Sequence, residues 1–156
     1  RPWVRVGYNY GSGDEDASDG THGTFVPVAF TPRGFARVPF FNQMNNTDGF
    51  AELILRPSKK LTIRSDVHAL GVAKSTDLWY AGGGAFQPNT FGFNGRAVSG
   101  NSGLGTMMDA SADITVSPRL GLTIYGGHVS AGSIPQAIYG SNDGLRFVYG
   151  EMLIRF

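Results

Sequence analysis

RFVYGEMLIRF, residues 146–156, decides the fold. Beyond Arg146, every even position is apolar or glycine: Val148, Gly150, Met152, Ile154 and Phe156. The odd positions Phe147, Tyr149, Glu151, Leu153 and Arg155 carry both remaining charges. Alternation with period two over this length argues for a strand with one face in an apolar medium.

The same alternation recurs upstream. Met108, Ala110, Ala112, Ile114 and Val116 oppose Asp109, Ser111, Asp113 and Thr115. Leu61, Ile63, Ser65, Val67 and Ala69 oppose Thr62, Arg64, Asp66 and His68. Leu120, Leu122, Ile124 and Gly126 oppose Gly121, Thr123, Tyr125 and Gly127. Ala51, Leu53 and Leu55 oppose Phe50, Glu52 and Ile54, and Val4, Val6, Tyr8 and Tyr10 oppose Arg5, Gly7 and Asn9. Six strands are therefore predicted, at about 2–10, 48–56, 60–73, 105–117, 119–130 and 144–156. Each is near the ~9–11 residues that a tilted membrane strand needs.

The connections alternate in length. Two are tight and carry proline: Arg56-Pro57-Ser58-Lys59-Lys60 and Ser117-Pro118-Arg119. The other three, 11–47, 74–104 and 131–143, are long. Short turns at one end and long loops at the other are the pattern of an outer-membrane barrel. Trp3 and Phe156 fall near the short-turn end, and Tyr8, Tyr10, Trp79 and Tyr80 near the long-loop end, as candidate interfacial aromatics. The expected fold is all-β: an antiparallel up-and-down transmembrane β-barrel, of which six strands are seen here. A soluble β-sandwich binding module also alternates, but should bury bulkier residues than the Gly and Ala on these apolar faces.

Composition narrows the function classes. The chain has 156 residues, a net charge of +1, 16% charged residues, 23 glycines and no cysteine. The charge excludes nucleic-acid binding by bulk basicity. The missing cysteine excludes disulfides, zinc-thiolate sites and a cysteine nucleophile. No apolar run approaches the ~20 residues of a spanning helix. The chain opens on Arg1 and is expected to be processed or part of a longer one.

Several stretches resemble the bacterial alginate-export family of outer-membrane barrels. They are RVGYNYGSGDED (5–16), DGTHGTF (19–25), LRPSKKLTIRSDVHAL (55–70), DLWYAGGGA (77–85) and DITVSPRLGLTIYGGH (113–128). The closing EMLIRF (151–156) resembles the terminal strand by which barrel-assembly machinery recognises its clients. The likeness runs along essentially the whole chain and corresponds to the C-terminal third of a family member, whose barrel has about eighteen strands. The resemblance implies a passive outer-membrane channel whose family prototype exports an acidic polysaccharide through a basic lumen.

The lumen faces read from alternation carry Arg5, Arg56, Arg64 and Arg155 against Glu52, Asp66, Asp109, Asp113 and Glu151. That balance does not make an anion funnel, so the solute stays open. Arg5, Glu52, Arg64, Asp66, His68, Asp109, Asp113 and Glu151 are the candidate pore-wall residues. They serve either as structural ion pairs or as a selecting ring, and the two roles are compatible. His68 reads as a hydrogen-bonded wall residue. His22, His68 and His128 share no metal-ligand spacing.

In the first long loop, Asp14, Asp16 and Asp19 precede Gly20 and form either a solvated acidic surface or a calcium loop, although the EF-hand register is missed. No other cofactor is expected. The apolar run 24–41 in that loop is expected to fold across the barrel mouth or to pack on a neighbouring chain. The glycine clusters at 81–85 and 100–105 lack a phosphate-loop context and mark turns. No catalytic motif is present, and His128 with Ser130 is a Ser/His pair without a third member. The expected function is an outer-membrane channel for passive diffusion or export of polar solutes. The alternative is a non-conducting scaffold or sheath that holds partner proteins. Expected partners are membrane lipid, lipopolysaccharide and the solute. Six strands fall short of the roughly eight of the smallest single-chain barrels. Further strands, from an N-terminal portion or from other chains, are expected to close the wall.

Overall fold

A computed structural model describes residues 2–27, 38, 40–81 and 95–156. The elements in chain order are β1 (Trp3–Gly11), β2 (Asn46–Ser58), β3 (Leu61–Gly71), β4 (Leu78–Tyr80), β5 (Gly95–Ala97), β6 (Gly103–Ser117), β7 (Leu120–Ala131), α1 (Ser133–Tyr139) and β8 (Leu145–Ile154). Six of them form one antiparallel sheet in the order β1-β2-β3-β6-β7-β8, so consecutive long strands are neighbours. The sheet is not closed: β1 and β8 are its two edges.

Alternation is what gives the sheet its two faces. On the outer face Val148 is 80% exposed and Val6 75% exposed, with Val4, Tyr8, Tyr10, Met108, Ile124 and Met152 also open. Water does not favour a continuous apolar surface of that extent, whereas lipid does. The inner face carries most of the charged residues of the strands, among them Arg5, Glu52, Arg64, Asp66, Asp109, Asp113 and Glu151, whereas His128 and Arg146 share the outer-face parity. Its long-loop end is covered by residues of the connections.

The two short turns share one construction. In Ser58-Lys59-Lys60-Leu61 and Ser117-Pro118-Arg119-Leu120, the serine hydroxyl accepts from the amide two residues on, at 3.2 Å in both. Each follows a register shift in the preceding strand, between Leu55 and Ser58 and between Thr115 and Ser117. The bulge adds twist where the chain must reverse, and the hydroxyl satisfies an amide that the ladder leaves over.

The long connections hold structure that alternation does not reveal. The β3–β6 connection contains the short ribbon β4–β5, and the β7–β8 connection contains α1, which ends on Gly140 in the left-handed region. Strand β2 starts at Asn46 because Asn46 and Thr47 pair with Gly11 and Tyr10. Strand β3 ends at Gly71, after which the Val72 amide turns away to the Ser102 carbonyl at 2.9 Å.

The core sits on the inner face at the long-loop end. Leu70, Met107 and Val129 from the strands pack with Val38 and Phe41 from the β1–β2 connection, Val72, Trp79 and Val98 from the β3–β6 connection, and Ile134 from α1. Part of the apolar run 24–41 thus folds inward; residues 28–37 and 39, and the glycines at 82–84, lie outside the described residues. Gly127 permits the contact, because a Cβ there would stand 2.6 Å from the Val38 Cγ2. Gly105 has φ +134, and a Cβ would strike the Ser130 carbonyl oxygen at 2.1 Å.

Candidate functional site

The register stacks the inner face into transverse rows. Arg5, Glu52, Asp66, Asp109 and Gly127 oppose one another across β1, β2, β3, β6 and β7. The row nearer the long loops runs Gly7, Phe50, His68, Met107 and Val129. Nearer the short turns, Asp113 opposes Thr123, which opposes Glu151. The eight candidate wall residues therefore belong to one face, because residues two apart on a strand and residues opposed across strands point the same way.

Within these rows the ionised groups are mostly paired. Arg5 Nε lies 2.9 Å from Glu52 Oε2, and its guanidinium stands 5.1 Å from the Phe50 ring centroid. Arg64 Nη1 donates to Asp113 Oδ2 at 3.0 Å, and Thr123 donates to the other oxygen at 2.7 Å. Tyr125 donates to Asp109 Oδ2 at 2.6 Å, and the Tyr149 hydroxyl donates to Glu151. Asp66 faces two carboxylates, Glu52 on β2 and Asp109 on β6.

His68 lies deepest. Its ring is 1% exposed and stacks on Phe50 at 5.7 Å, with Phe41 of the inward loop 6.2 Å away. Its Nδ1 donates to Asp48 Oδ1 at 2.9 Å; the carboxylate only accepts, so the proton belongs on Nδ1. Asn9 donates to the other Asp48 oxygen at 3.0 Å. Nε2 has no partner among the described residues. Asp48 and Asn9 are wall residues that the sequence reading did not single out. The signal was available: Asp48 is four residues before Glu52 and shares its parity.

A second polar centre ties the loops together, and it too was missed. Asp77 is nearly buried and accepts from Thr24 Oγ1 at 2.6 Å, the Asp14 amide at 2.9 Å, Tyr80 hydroxyl at 3.0 Å and the Leu78 amide at 2.6 Å. Burial, reinforced by that carboxylate, pushes the Tyr80 hydroxyl's pKa well above its ordinary value. Beside it, Asn45 Nδ2 donates to the Lys74 and Leu78 carbonyls, each at 2.9 Å, and Oδ1 accepts from the Lys74 amide at 2.7 Å. Polar side chains separated by tens of residues join here, so no local pattern announces them.

This arrangement corrects the expectation for Trp79 and Tyr80. They are not interfacial aromatics: Trp79 packs in the loop core with Phe40 at 5.2 Å between centroids, and Tyr80 is held inside by Asp77. Trp3 is exposed but shares the inner face of β1 with Arg5, so it does not face lipid. Tyr8 and Tyr10 are exposed on the outer face towards the long loops, and Phe156 is exposed at the short-turn end.

In the acidic loop each carboxylate serves its own turn. Asp14 Oδ1 accepts from the Asp16 amide at 3.3 Å and Oδ2 stands 3.5 Å from His22 Nδ1. Asp16 accepts from the Ser18 amide at 2.9 Å and its hydroxyl at 2.5 Å, which hold its carboxyl below the usual carboxylate range. Asp19 accepts from the Thr21 amide at 2.7 Å. Among the described residues no group of three or more His, Cys, Asp or Glu side chains is gathered as a metal site. His128 Nε2 and the Ser130 hydroxyl are 3.4 Å apart at an exposed position.

Comparison with protein families matches residues 1–148 to the family described as alginate export. The chain belongs to the alginate export family. Comparisons with curated proteins and with solved structures gave no significant match. The alginate export family comprises outer-membrane β-barrel channels, not enzymes. The six-stranded antiparallel sheet, lipid-suited on one face and polar on the other, is a barrel-wall segment of that class.

Proposed function

We propose that these strands form part of the wall of a channel in the bacterial outer membrane that passes polar solutes by diffusion or export. The carrying observation is the contrast between the faces. An exposed apolar surface and an ion-paired surface lie back to back on one sheet, as lipid outside and water inside require. Among the described residues β1 and β8 each leave one edge unpaired, and a bilayer core does not tolerate open edges. The wall therefore closes with further strands, from this protein's own N-terminal portion or from other chains. The lipid-facing surface takes membrane lipid, and the long loops meet lipopolysaccharide.

The second reading, a non-conducting scaffold, draws on the loop layer that covers one end of the inner face. Planar-bilayer recording of the full-length protein separates the two. A channel gives discrete conductance steps, and Arg64→Glu shifts its reversal potential. Absence of steps favours the scaffold, and steps with an unchanged reversal potential remove Arg64 from the conducting wall.

A further inference from the structure

We infer that His128 and Arg146 form a phosphate seat on the outer face of the sheet, and that its occupant is the phosphorylated headgroup of lipopolysaccharide. The inference rests on reading the sheet as an outer-membrane wall and adds a lipid site to that wall.

Isolated charge is the first support. Among the described residues paired in the ladders of the six-stranded sheet, His128 and Arg146 are the only ionisable side chains of outer-face parity besides tyrosine. They stand directly opposite each other on β7 and β8, which places their Cβ atoms about 5 Å apart. Both are exposed. Among the described residues Arg146 has no ion pair or hydrogen bond, and His128 meets the Ser130 hydroxyl at 3.4 Å. Two basic side chains set opposite each other gain nothing from one another, whereas an anion between them satisfies both. No carboxylate of this chain is placed to be that anion. The segments outside the described residues contain no Asp or Glu. Asp143, the acid nearest to Arg146 in sequence, lines an apolar cavity with Trp79, Val129 and Phe147 on the inner side.

Depth is the second support. Phe156 marks the short-turn end, and Arg146 lies ten positions before it on the same face. At a rise of ~3.4 Å per residue and a tilt of about 40°, those positions climb roughly 26 Å. The apolar band of such a wall is about 25 Å tall, so Arg146 stands at its long-loop border. Between them on that face are Val148, Gly150, Met152 and Ile154, all uncharged. A guanidinium is costly at the middle of a bilayer and nearly neutral at its border. The long loops mark the outer surface, where the leaflet's phosphates lie at that level.

The surroundings suit a headgroup. Ser130, one step further out on the same face, and Thr106 opposite it bring two exposed hydroxyls. Gly144 makes room for the imidazole, because a Cβ there would stand 2.6 Å from His128 Cε1. The cluster offers a guanidinium fork, a ring N–H and two hydroxyls to one phosphorylated headgroup.

The test is retention of lipid A by the full-length protein in detergent, read by native mass spectrometry, with bis-phosphorylated lipid A and its dephosphorylated form as probes. The phosphorylated form should be retained about fivefold better. Arg146→Gln should lower its retention by roughly fivefold and His128→Gln by about twofold, with the dephosphorylated form unaffected. Arg146→Lys, which keeps the charge, should retain more than Arg146→Gln, which separates lost charge from a misfolded variant. Arg119→Gln, the same change of charge at a short turn, should leave retention as it is. Equal retention of the two forms, or an equal loss in Arg119→Gln, overturns the seat while leaving the wall standing. Displacement of the lipid by inorganic phosphate overturns the lipid as occupant in favour of a free anion. Failure of the full-length protein to insert into lipid vesicles overturns the wall reading, and this inference with it.

Discussion

The two ends of the inner wall are built from the same strands with the same alternation, yet they hold their charges differently. At the short-turn end, Arg64 and Asp113 pair with side-chain exposures of 38% and 31%. At the long-loop end, His68 and Asp48 pair with exposures of 1% and 0%. The first pair is bathed in solvent, so water competes for both partners and the net contribution is small. The second is roofed by Phe41 and flanked by Phe50, so losing either partner strands the other in an apolar layer. Loop packing, and not the strand sequence, turns an ordinary wall position into a structural one.

That contrast can be tested at four points. Asp48→Ala should cost about 3 kcal/mol or more, because it orphans His68 and Asn9 together; urea unfolding in lipid vesicles measures it. A loss below ~1 kcal/mol would show that the covered end is as well hydrated as the open one. Gly127→Leu drives a side chain into Val38 and should destabilise the loop layer by about 1–3 kcal/mol. Limited proteolysis should then cut the 11–45 connection faster while the strands stay protected; unchanged cutting would mean that the loop is not held at this row.

Arg64→Met should change stability by only ~0–1 kcal/mol in the same urea assay, although Arg64 is central to the proposed conduction. A larger loss would erase the difference between the two ends. The smallest effect belongs to the acidic loop. Asp16 has a depressed carboxyl pKa, so its turn is favoured above the ordinary aspartate value and is lost as pH falls through the lowered one. Ser18→Ala should move the Asp16 titration upward, towards the usual range, as read by carboxyl NMR shifts. An unmoved titration would mean that the Ser18 hydroxyl does not hold it.

Much of the wall was legible from parity. The alternation around Arg64, Asp66, Asp109 and Asp113 sets their common face, because a strand has a fixed period and adjacent antiparallel strands keep it. The proline-bearing segments at 56–60 and 117–119 mark the turns for a local reason too, since each needs only a few residues to reverse. Asp77, Asn45 and the burial of Trp79 were not legible. Asp77 gathers donors from positions 14, 24, 78 and 80, and nothing in the nearest residues records the partners on another loop.

The sequence by itself determined six strands, the face on which each side chain stands, and membership of an export-channel family, because these follow from period, turn chemistry and matched residues. Only the tertiary structure decided which inner-face charges are buried and which meet water. That depends on where three long connections fold, and their course is set by contacts such as Val38 on Gly127 and Phe41 near His68. Those contacts join residues far apart in the chain, and alternation along a strand carries no information about what packs above it.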